Sequence, residues 1–254
     1  MASVQEKRTA TKPICLITGV GEGTGSAIAR RFVQGGYQVA MIARDRDRLQ
    51  KLGHEMADAK AYVCDVGDLD ALLVTLDRIC VDMGTPSVMV HNAVSATFGT
   101  FLDADPAALE RNFRVNTTAL LYLARALAPA MIKAKQGAIV VTGNTAALRG
   151  IPTYALFAPT KAAQRILSQS LARELGPKGI HVAYVTIDAA IATPWSRNQP
   201  VQGLNTEPLN QHQSLAEGFF SQPIDIAAEI FHIVHQPPSA WSFDVEIRPF
   251  SEKW

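Results

Sequence analysis

Residues 14–29 have the sequence ICLITGVGEGTGSAIA, and this stretch predicts the fold of the chain. Ile14–Thr18 is a mostly apolar run of strand length, and Gly25–Gln34 has the spacing of an amphipathic helix. Glycines at positions 19, 23 and 25 permit a tight turn, close approach of the backbone to a diphosphate, and close helix–strand packing. The helix N-terminus adds unpaired N–H groups and a partial positive charge. A strand before the turn and a helix after it predict a dinucleotide-binding site.

Outward from this stretch, short apolar runs alternate with longer amphipathic ones. The apolar runs predict seven strands, at Ile14–Thr18, Gln38–Ala43, Ala61–Val66, Ser87–His91, Ala138–Thr142, His181–Ile187 and Ser242–Ile247. Helical spacing is present at Gly25–Gln34, Asp45–Met56, Asp68–Met83, Pro106–Ala134 and Phe157–Leu175. The alternation predicts an α/β protein, a single-domain Rossmann fold whose doubly wound, seven-stranded parallel sheet has helices on both faces.

The composition contains no excess of charge. Of 254 residues, 48% are hydrophobic, and 24 Lys and Arg against 23 Asp and Glu leave a net charge of +1. We therefore expect no nucleic-acid or membrane partner and a small-molecule substrate. The N-terminus is polar, and the most apolar stretch, Thr118–Ile132, is shorter than the ~20 residues that span a bilayer. Cys15 and Cys64 lie in strand-like runs, which is typical of reduced, buried thiols, so a cytoplasmic protein is expected.

The chain contains no linker or repeat that would divide it into domains. We expect residues 1–12 to form a flexible leader and residues 13–254 a single Rossmann-type domain. Residues 189–222 differ in composition from the rest of the chain, because they are rich in Pro, Asn and Gln. Loops of this length are usually functional or disordered, so the segment is interpreted as a substrate flap or, alternatively, as a disordered segment.

The tip of the second strand carries the residues that distinguish NADP from NAD. An acidic side chain there would bind the ribose 2′-hydroxyl, whereas an arginine accommodates a 2′-phosphate. Arg44 therefore favours NADP, while Asp45 is equally consistent with the N-cap of the following helix. Glu22 would repel a nearby phosphate, and NAD stays possible.

Beyond this turn, the chain resembles the short-chain dehydrogenase/reductase family over nearly its whole length. The Thr-Gly-x-x-x-Gly-x-Gly turn of residues 18–25 is that family's form of the fingerprint, and His91-Asn92-Ala93-Val94 is similar to its Asn-Asn-Ala-Gly with both outer positions changed. The resemblance implies that Asp65 holds the adenine, Lys161 the nicotinamide ribose and Thr193 the carboxamide. The cofactor-binding candidates are Gly19, Gly21, Glu22, Gly23, Thr24, Gly25, Arg44, Asp65, Val66, Asn92, Ala93, Lys161 and Thr193.

The chain departs from the family at the positions that carry the chemistry. Phe157 stands where the family has a tyrosine, Asn144 or a neighbour where it has a serine, and Asp188-Ala189 where it has Pro-Gly. Phenylalanine has no ionisable proton, so it cannot supply an acid, a function typically worth about 10²–10⁴ in rate. The catalytic candidates are Lys161, Asn116, Asn144, Tyr154 and Phe157.

Two of these candidates carry an N–H or O–H group that can donate a hydrogen bond to a substrate carbonyl. Asn144 has amide N–H groups that polarise a carbonyl without delivering a proton, but an Asn in a turn after a strand is equally consistent. Tyr154 lies seven residues before Lys161, a spacing similar to that of the enoyl-reductase branch of the superfamily. Pro159 places the helix start near residues 156–158, so Tyr154 is expected in the preceding loop, as a donor or as a packing residue.

The sequence leaves two functions open. The first is a short-chain oxidoreductase that transfers hydride between NADP(H) and a carbonyl or enone, with an atypical proton donor because Phe157 occupies the usual tyrosine position. The second is a non-catalytic dinucleotide-binding sensor or scaffold subunit. Metal hydrolysis has little support because the six histidines are scattered. The resemblance also implies a homodimer or homotetramer.

Overall fold

A seven-stranded parallel sheet forms the centre of the computed structural model, which describes residues 12–193, 196, 218 and 220–251. The strands are β1 (Ile14–Thr18), β2 (Gln38–Ala43), β3 (Ala59–Val63), β4 (Val88–His91), β5 (Gly137–Asn144), β6 (Ile180–Ile187), β7 (Ala190–Ile191), β8 (Phe220–Ser221) and β9 (Asp244–Ile247). The order in the sheet is β3-β2-β1-β4-β5-β6-β9, and β7 pairs with β8 separately. The order reverses between β1 and β4, which places a crevice at the carboxyl ends of these two strands.

Helices cover both faces of the sheet, which confirms the predicted doubly wound α/β fold. The helices are α1 (Thr24–Gln34), α2 (Arg46–Glu55), α3 (Leu69–Met83), α4 (Pro106–Phe113), α5 (Ala119–Ala134), α6 (Ala158–Leu175) and α7 (Pro223–Val234). Residues of α1, α2 and α7 pack on one face, and residues of α3, α5 and α6 on the other. With both faces covered, β1 is buried along its whole length, as its apolar sequence requires.

Aspartates fix the starts of three helices. The side chains of Asp45, Asp68 and Asp105 accept hydrogen bonds from the backbone N–H groups of Arg48, Ala71 and Ala107 at 3.0, 3.1 and 3.0 Å. Each bond satisfies an N–H that the first helical turn would otherwise leave without an acceptor, typically worth about 1 kcal/mol. The cap at Asp45 is one of the two roles that the sequence allowed for this residue.

The strand β3 differs from the sequence prediction in its bounds, and α7, β7 and β8 were not predicted. β3 was expected at Ala61–Val66 but ends at Val63, because its partner β2 ends at Ala43, opposite Val63. The chain therefore leaves the sheet at Cys64 and turns into the crevice. α7 was not predicted, although Ile226, Ile230 and Ile233 have helical spacing and are buried.

The long helix predicted at Pro106–Ala134 contains a π-helical turn at Arg114–Thr118, between α4 and α5. By length and composition the segment could cross a membrane. However, α5 buries Leu120, Leu123 and Leu127 in the core against the sheet. Within this fold it is a core helix.

The ends of the predicted flap lie side by side, because Ala190 pairs with Phe220 in the β7–β8 ladder. Most of the flap, residues 194–195, 197–217 and 219, lies outside the described residues, as do residues 1–11.

The glycine-rich turn between β1 and α1 is packed too closely for larger side chains. Gly19 has a φ of +73°, and a Cβ there would stand 2.5 Å from Ala93 Cα. A Cβ on Gly25 would stand 2.3 Å from Gly19 O and 2.7 Å from Val20 Cα. Gly21, by contrast, has no atom within 4 Å of its Cβ position, so it opens onto free space.

Replacing two of these glycines tests how closely each one is packed. Gly25→Ala should lower the free energy of unfolding by about 1–3 kcal/mol, because backbone atoms must move to admit the methyl group. Gly21→Ala, the matched control, should change it by less than about 0.5 kcal/mol. Urea unfolding without ligand measures both, and equal effects would contradict the packing described.

Candidate cofactor crevice and active site

A crevice of about 720 Å³ opens at the carboxyl ends of β1, β2 and β4. Its walls come from the glycine-rich turn, the tip of β2, the segment after β3, the loop after β4 and the start of the predicted flap. The lining residues are Gly19, Val20, Gly21, Gly23, Thr24, Gly25, Ile42, Ala43, Arg44, Asp45, Arg48, Cys64, Asp65, Val66, Asn92, Ala93, Val94, Ser95, Val115, Ile191 and Thr193. All predicted cofactor-binding residues except Glu22 and Lys161 are therefore brought together.

The turn end of the crevice has the features that a diphosphate requires. Thr24, in the first turn of α1, is 7% exposed, and its buried Oγ1 has no hydrogen-bond partner among the described residues. The open space in front of Gly21 admits a ligand close to the backbone. With the N-terminus of α1 facing the same space, the residues present fit a dinucleotide diphosphate. Thr193 closes over the turn, since a Cβ on Gly23 would stand 2.7 Å from Thr193 Cγ2.

Two arginines line the far end of the crevice, beside the tip of β2. Arg44 is 79% exposed and lies 4.0 Å from the Asp65 carboxylate. Arg48 lies 3.3 Å from Asp45 and 3.6 Å from Glu22. Exposed ion pairs of this kind are worth at most about 1 kcal/mol, so an incoming anion can displace them. The sequence prediction missed Arg48, although its place in the first turn after Arg44 was a usable signal.

A buried hydrogen-bond network joins β1 and β4 behind the crevice. Asn92 donates from Nδ2 to Gly19 O at 2.9 Å, and its Oδ1 accepts from Thr142 Oγ1 at 3.2 Å. His91 is fully buried, with Nδ1 3.0 Å from Thr18 Oγ1 and Nε2 3.1 Å from Val115 O. A carbonyl only accepts, so Nε2 carries the proton and Nδ1 accepts from the threonine. Burial, with the nearby Lys161, lowers the pKa of His91 to about 4.

Asn116 lies in the π-helical turn and uses its side chain entirely within the protein. Its Oδ1 accepts from Ser95 N, and its Nδ2 donates to Ser95 O and to Thr160 Oγ1, each at 2.8 Å. Asn116 is fully buried and holds the loop after β4 against the start of α6. In this arrangement the side chain is a structural tie.

Lys161 is buried on α6 and does not line the crevice. Its Nζ donates to Thr142 O at 3.0 Å and to Gln164 Oε1 at 2.5 Å. These are the two acceptors that the described residues supply, so one N–H stays available to a ligand. Burial lowers the pKa of Lys161 to about 7.

Three aromatic rings form a cluster beside the start of α6. Phe157 is 3% exposed and packs against Ala146 and Ala158. Its ring centroid is 5.4 Å from that of Phe98 and 6.0 Å from that of Tyr154, which lies in the preceding loop as predicted. An apolar ring therefore occupies position 157, where the resemblance implies a tyrosine.

Asn144 ends β5 in an extended conformation. Its Oδ1 is buried and has no hydrogen-bond partner within the described part of the chain. Asn144, Tyr154 and Phe157 do not line the crevice; Asn144 is the last residue of β5, and Tyr154 and Phe157 lie between β5 and α6. Gln164, which binds both Lys161 and Asn116, was missed because nothing in the sequence marks one polar helix residue among several.

The sheet has the strand order of a Rossmann fold, and a glycine-rich turn lies where that order reverses. This combination is typical of dinucleotide-binding proteins. The family model of short chain dehydrogenases matches residues 13–200. A similar protein is "2-(S)-hydroxypropyl-CoM dehydrogenase 3" of Xanthobacter autotrophicus, 31% identical, with 87% of this chain and 89% of the relative covered. D-erythrulose reductase of Gallus gallus is 33% identical over 66% of this chain and 67% of the relative.

The solved structures with a similar fold include a member of the same class of enzyme. A metagenomic short-chain oxidoreductase in complex with NADP superposes with a TM-score of 0.77 at 26% identity, covering 93% of this chain and 97% of that one. The chain belongs to the short-chain dehydrogenase family.

The lowered pKa of the buried His91 predicts that the free energy of unfolding decreases at acid pH. Between pH 6.5 and 4 the unfolded chain binds a proton at this histidine that the folded chain does not, so stability falls with falling pH by up to about 3 kcal/mol. In His91→Asn this contribution should disappear, whereas His54→Asn, on the exposed face of α2, should keep it. Urea unfolding at a series of pH values measures the difference. Parallel pH profiles for wild type and His91→Asn would contradict the neutral buried histidine.

Proposed function

We propose that this protein is an oxidoreductase that uses NADP(H) to reduce a carbonyl or enone substrate. The observation that carries the proposal is the crevice itself. The glycine-rich turn lies at one end, with a Thr24 hydroxyl that has no hydrogen-bond partner among the described residues, and two arginines lie at the other end. When bound, the cofactor supplies the hydride. Every other part of the reaction falls to the residues of this chain.

The choice of NADP over NAD rests on Arg44 and Arg48. Both line the crevice at the tip of β2, where a 2′-phosphate would lie. The two carboxylates that oppose a phosphate, Asp45 and Glu22, are each within 4 Å of Arg48. Asp45 is also engaged as the cap of α2, which leaves it less suited to hold a ribose hydroxyl.

The end of β5, the loop that follows it and α6 carry the groups that we propose for the reaction. Tyr154 has the phenol nearest in sequence to the usual position, and we propose it as the donor that replaces Phe157. Asn144 is proposed to hold the substrate oxygen, because its amide N–H groups can donate hydrogen bonds to a carbonyl. Lys161 contributes its remaining N–H to the ribose on the nicotinamide side.

The aromatic cluster favours an apolar, conjugated substrate. Rings pack on other flat π-systems with about 0.5–1.5 kcal/mol beyond area burial. A ketose of the kind named in the Gallus gallus relative would instead place hydroxyl groups against Phe98, Tyr154 and Phe157. A buried hydroxyl without a hydrogen bond costs about 1–3 kcal/mol.

The second candidate function is a dinucleotide-binding sensor or scaffold without turnover. It is favoured by one observation, the buried phenylalanine at the donor position. In either function we propose a soluble, cytoplasmic protein that forms a homodimer or homotetramer.

The arginine pair gives a test of cofactor choice. The double variant Arg44→Ala with Arg48→Ala should bind NADPH roughly 10–100-fold more weakly, because charge-assisted bonds to the phosphate are lost, with NADH affinity nearly unchanged. Arg46→Ala, on the same helix but outside the crevice, is the matched control. Calorimetric titration measures both cofactors, and an equal loss for NADPH and NADH would refute the 2′-phosphate role.

Turnover distinguishes the two functions. We expect NADPH oxidation with aryl-conjugated enones and ketones and little with D-erythrulose. Tyr154→Phe should lower kcat by about 10²–10⁴-fold while NADPH affinity is kept. Tyr122→Phe, on α5, is the control and should leave kcat unchanged.

Absence of turnover across the panel, with NADPH binding intact, would establish the sensor or scaffold function instead. Full activity in Tyr154→Phe would remove the phenol from the mechanism.

A further inference from the structure

One buried side chain connects the lysine of the active site to the π-helical turn. Gln164 lies one turn after Lys161 on α6, and it is fully buried. Its Oε1 accepts from Lys161 Nζ at 2.5 Å, and its Nε2 donates to Asn116 O at 2.6 Å. The amide is thus used at both ends, and its orientation is fixed because only the nitrogen end can donate.

The acceptor on the far side is anchored by the fold. Asn116 is held by Ser95 and Thr160 through its side chain, so its carbonyl cannot follow Gln164 if that residue moves. On the other side of Lys161, the backbone oxygen of Thr142 in β5 accepts a second N–H of the ammonium. Lys161 is therefore clamped between a strand and an anchored amide, which leaves one direction for its third N–H.

The clamp is built entirely from neutral groups. The titratable group that faces Lys161 from β4 is His91, which is neutral because its pKa is lowered to about 4. The groups that contact Lys161 Nζ from β5 and α6, Thr142 O and the Gln164 amide, are uncharged, and so is Asn116 behind them. Among the described residues that contact Lys161 there is no carboxylate that would stabilise the buried ammonium. This agrees with the lowering of the lysine pKa to about 7 by burial.

We propose that Gln164 is the positioning residue of Lys161, clamping the lysine against Thr142 O so that its remaining N–H is directed to the nicotinamide-ribose half of the cofactor. The proposal rests on the proposed function of the crevice. It goes beyond that function by assigning a role to a residue outside the crevice wall.

Two ligands separate positioning from general structural support. NADPH contains the nicotinamide ribose, whereas adenosine 2′,5′-bisphosphate occupies only the adenosine end. Gln164→Met keeps the side-chain length and removes both hydrogen bonds; it should weaken NADPH binding by about 10-fold or more and leave the bisphosphate within about 2-fold. Ser168→Ala, one turn further along α6, removes a bond to Gln164 O but none to Lys161, and both ligands should bind as in wild type.

The pH dependence adds a readout that a structural role would not change. In wild type, the ratio of NADPH affinity to bisphosphate affinity should fall above pH 7, as Lys161 loses its proton. Gln164→Glu places a carboxylate beside the ammonium, which raises the lysine pKa and should move this fall upward by about one to three pH units. Taking the ratio cancels the titration of the phosphate that the two ligands share.

The outcomes are distinct. An NADPH affinity in Gln164→Met equal to that of wild type, or an equal loss for both ligands, would overturn the positioning role. An unmoved pH profile in a Gln164→Glu protein that still binds the bisphosphate would also overturn it. If Gln164→Glu does not fold, the Gln164→Met comparison decides alone. Failure of wild type to bind either ligand would instead refute the proposed function.

Discussion

The contact between the glycine-rich turn and the loop after β4 is the constraint on which the rest of the site depends. Gly19 lies against Ala93 in a left-handed conformation that only glycine adopts easily, and Asn92 ties the same turn by a hydrogen bond to Gly19 O. These two loops flank the point where the strand order reverses. Because they are held together, the start of α1 is fixed relative to the end of β4 at the mouth of the crevice.

The polar side chains that connect the elements beside and behind the crevice are neutral. The amides of Asn92, Asn116 and Gln164 connect β4, β5, the π-helical turn and α6, and the imidazole of His91 completes the layer without a charge. Fully satisfied polar networks of this kind make a core specific and rigid. The groups around Lys161 are therefore held rigidly, and the aromatic cluster of Phe98, Tyr154 and Phe157 lies beside the start of α6.

The sheet and the cofactor end of the site followed from the sequence, because a continuous apolar strand and a glycine turn are local signals. β1 and β2 have the predicted bounds, and the turn residues line the crevice. The end of β3 could not be predicted, since it depends on where its neighbour β2 stops. The bond from Gln164 to Asn116, which continues the link from Lys161, joins residues 48 positions apart, and such non-local bonds leave no periodicity to detect.

The central claim is that the glycine-rich turn binds the diphosphate of NADP(H), with the nicotinamide half directed toward Phe157 and Lys161. A crystal structure of the protein grown with NADPH tests it most directly. We expect diphosphate oxygens within hydrogen-bonding distance of Thr24 Oγ1 and the N-terminus of α1, and the 2′-phosphate between Arg44 and Arg48. A cofactor bound elsewhere, or a crevice closed by the protein's own side chains at saturating NADPH, would contradict it.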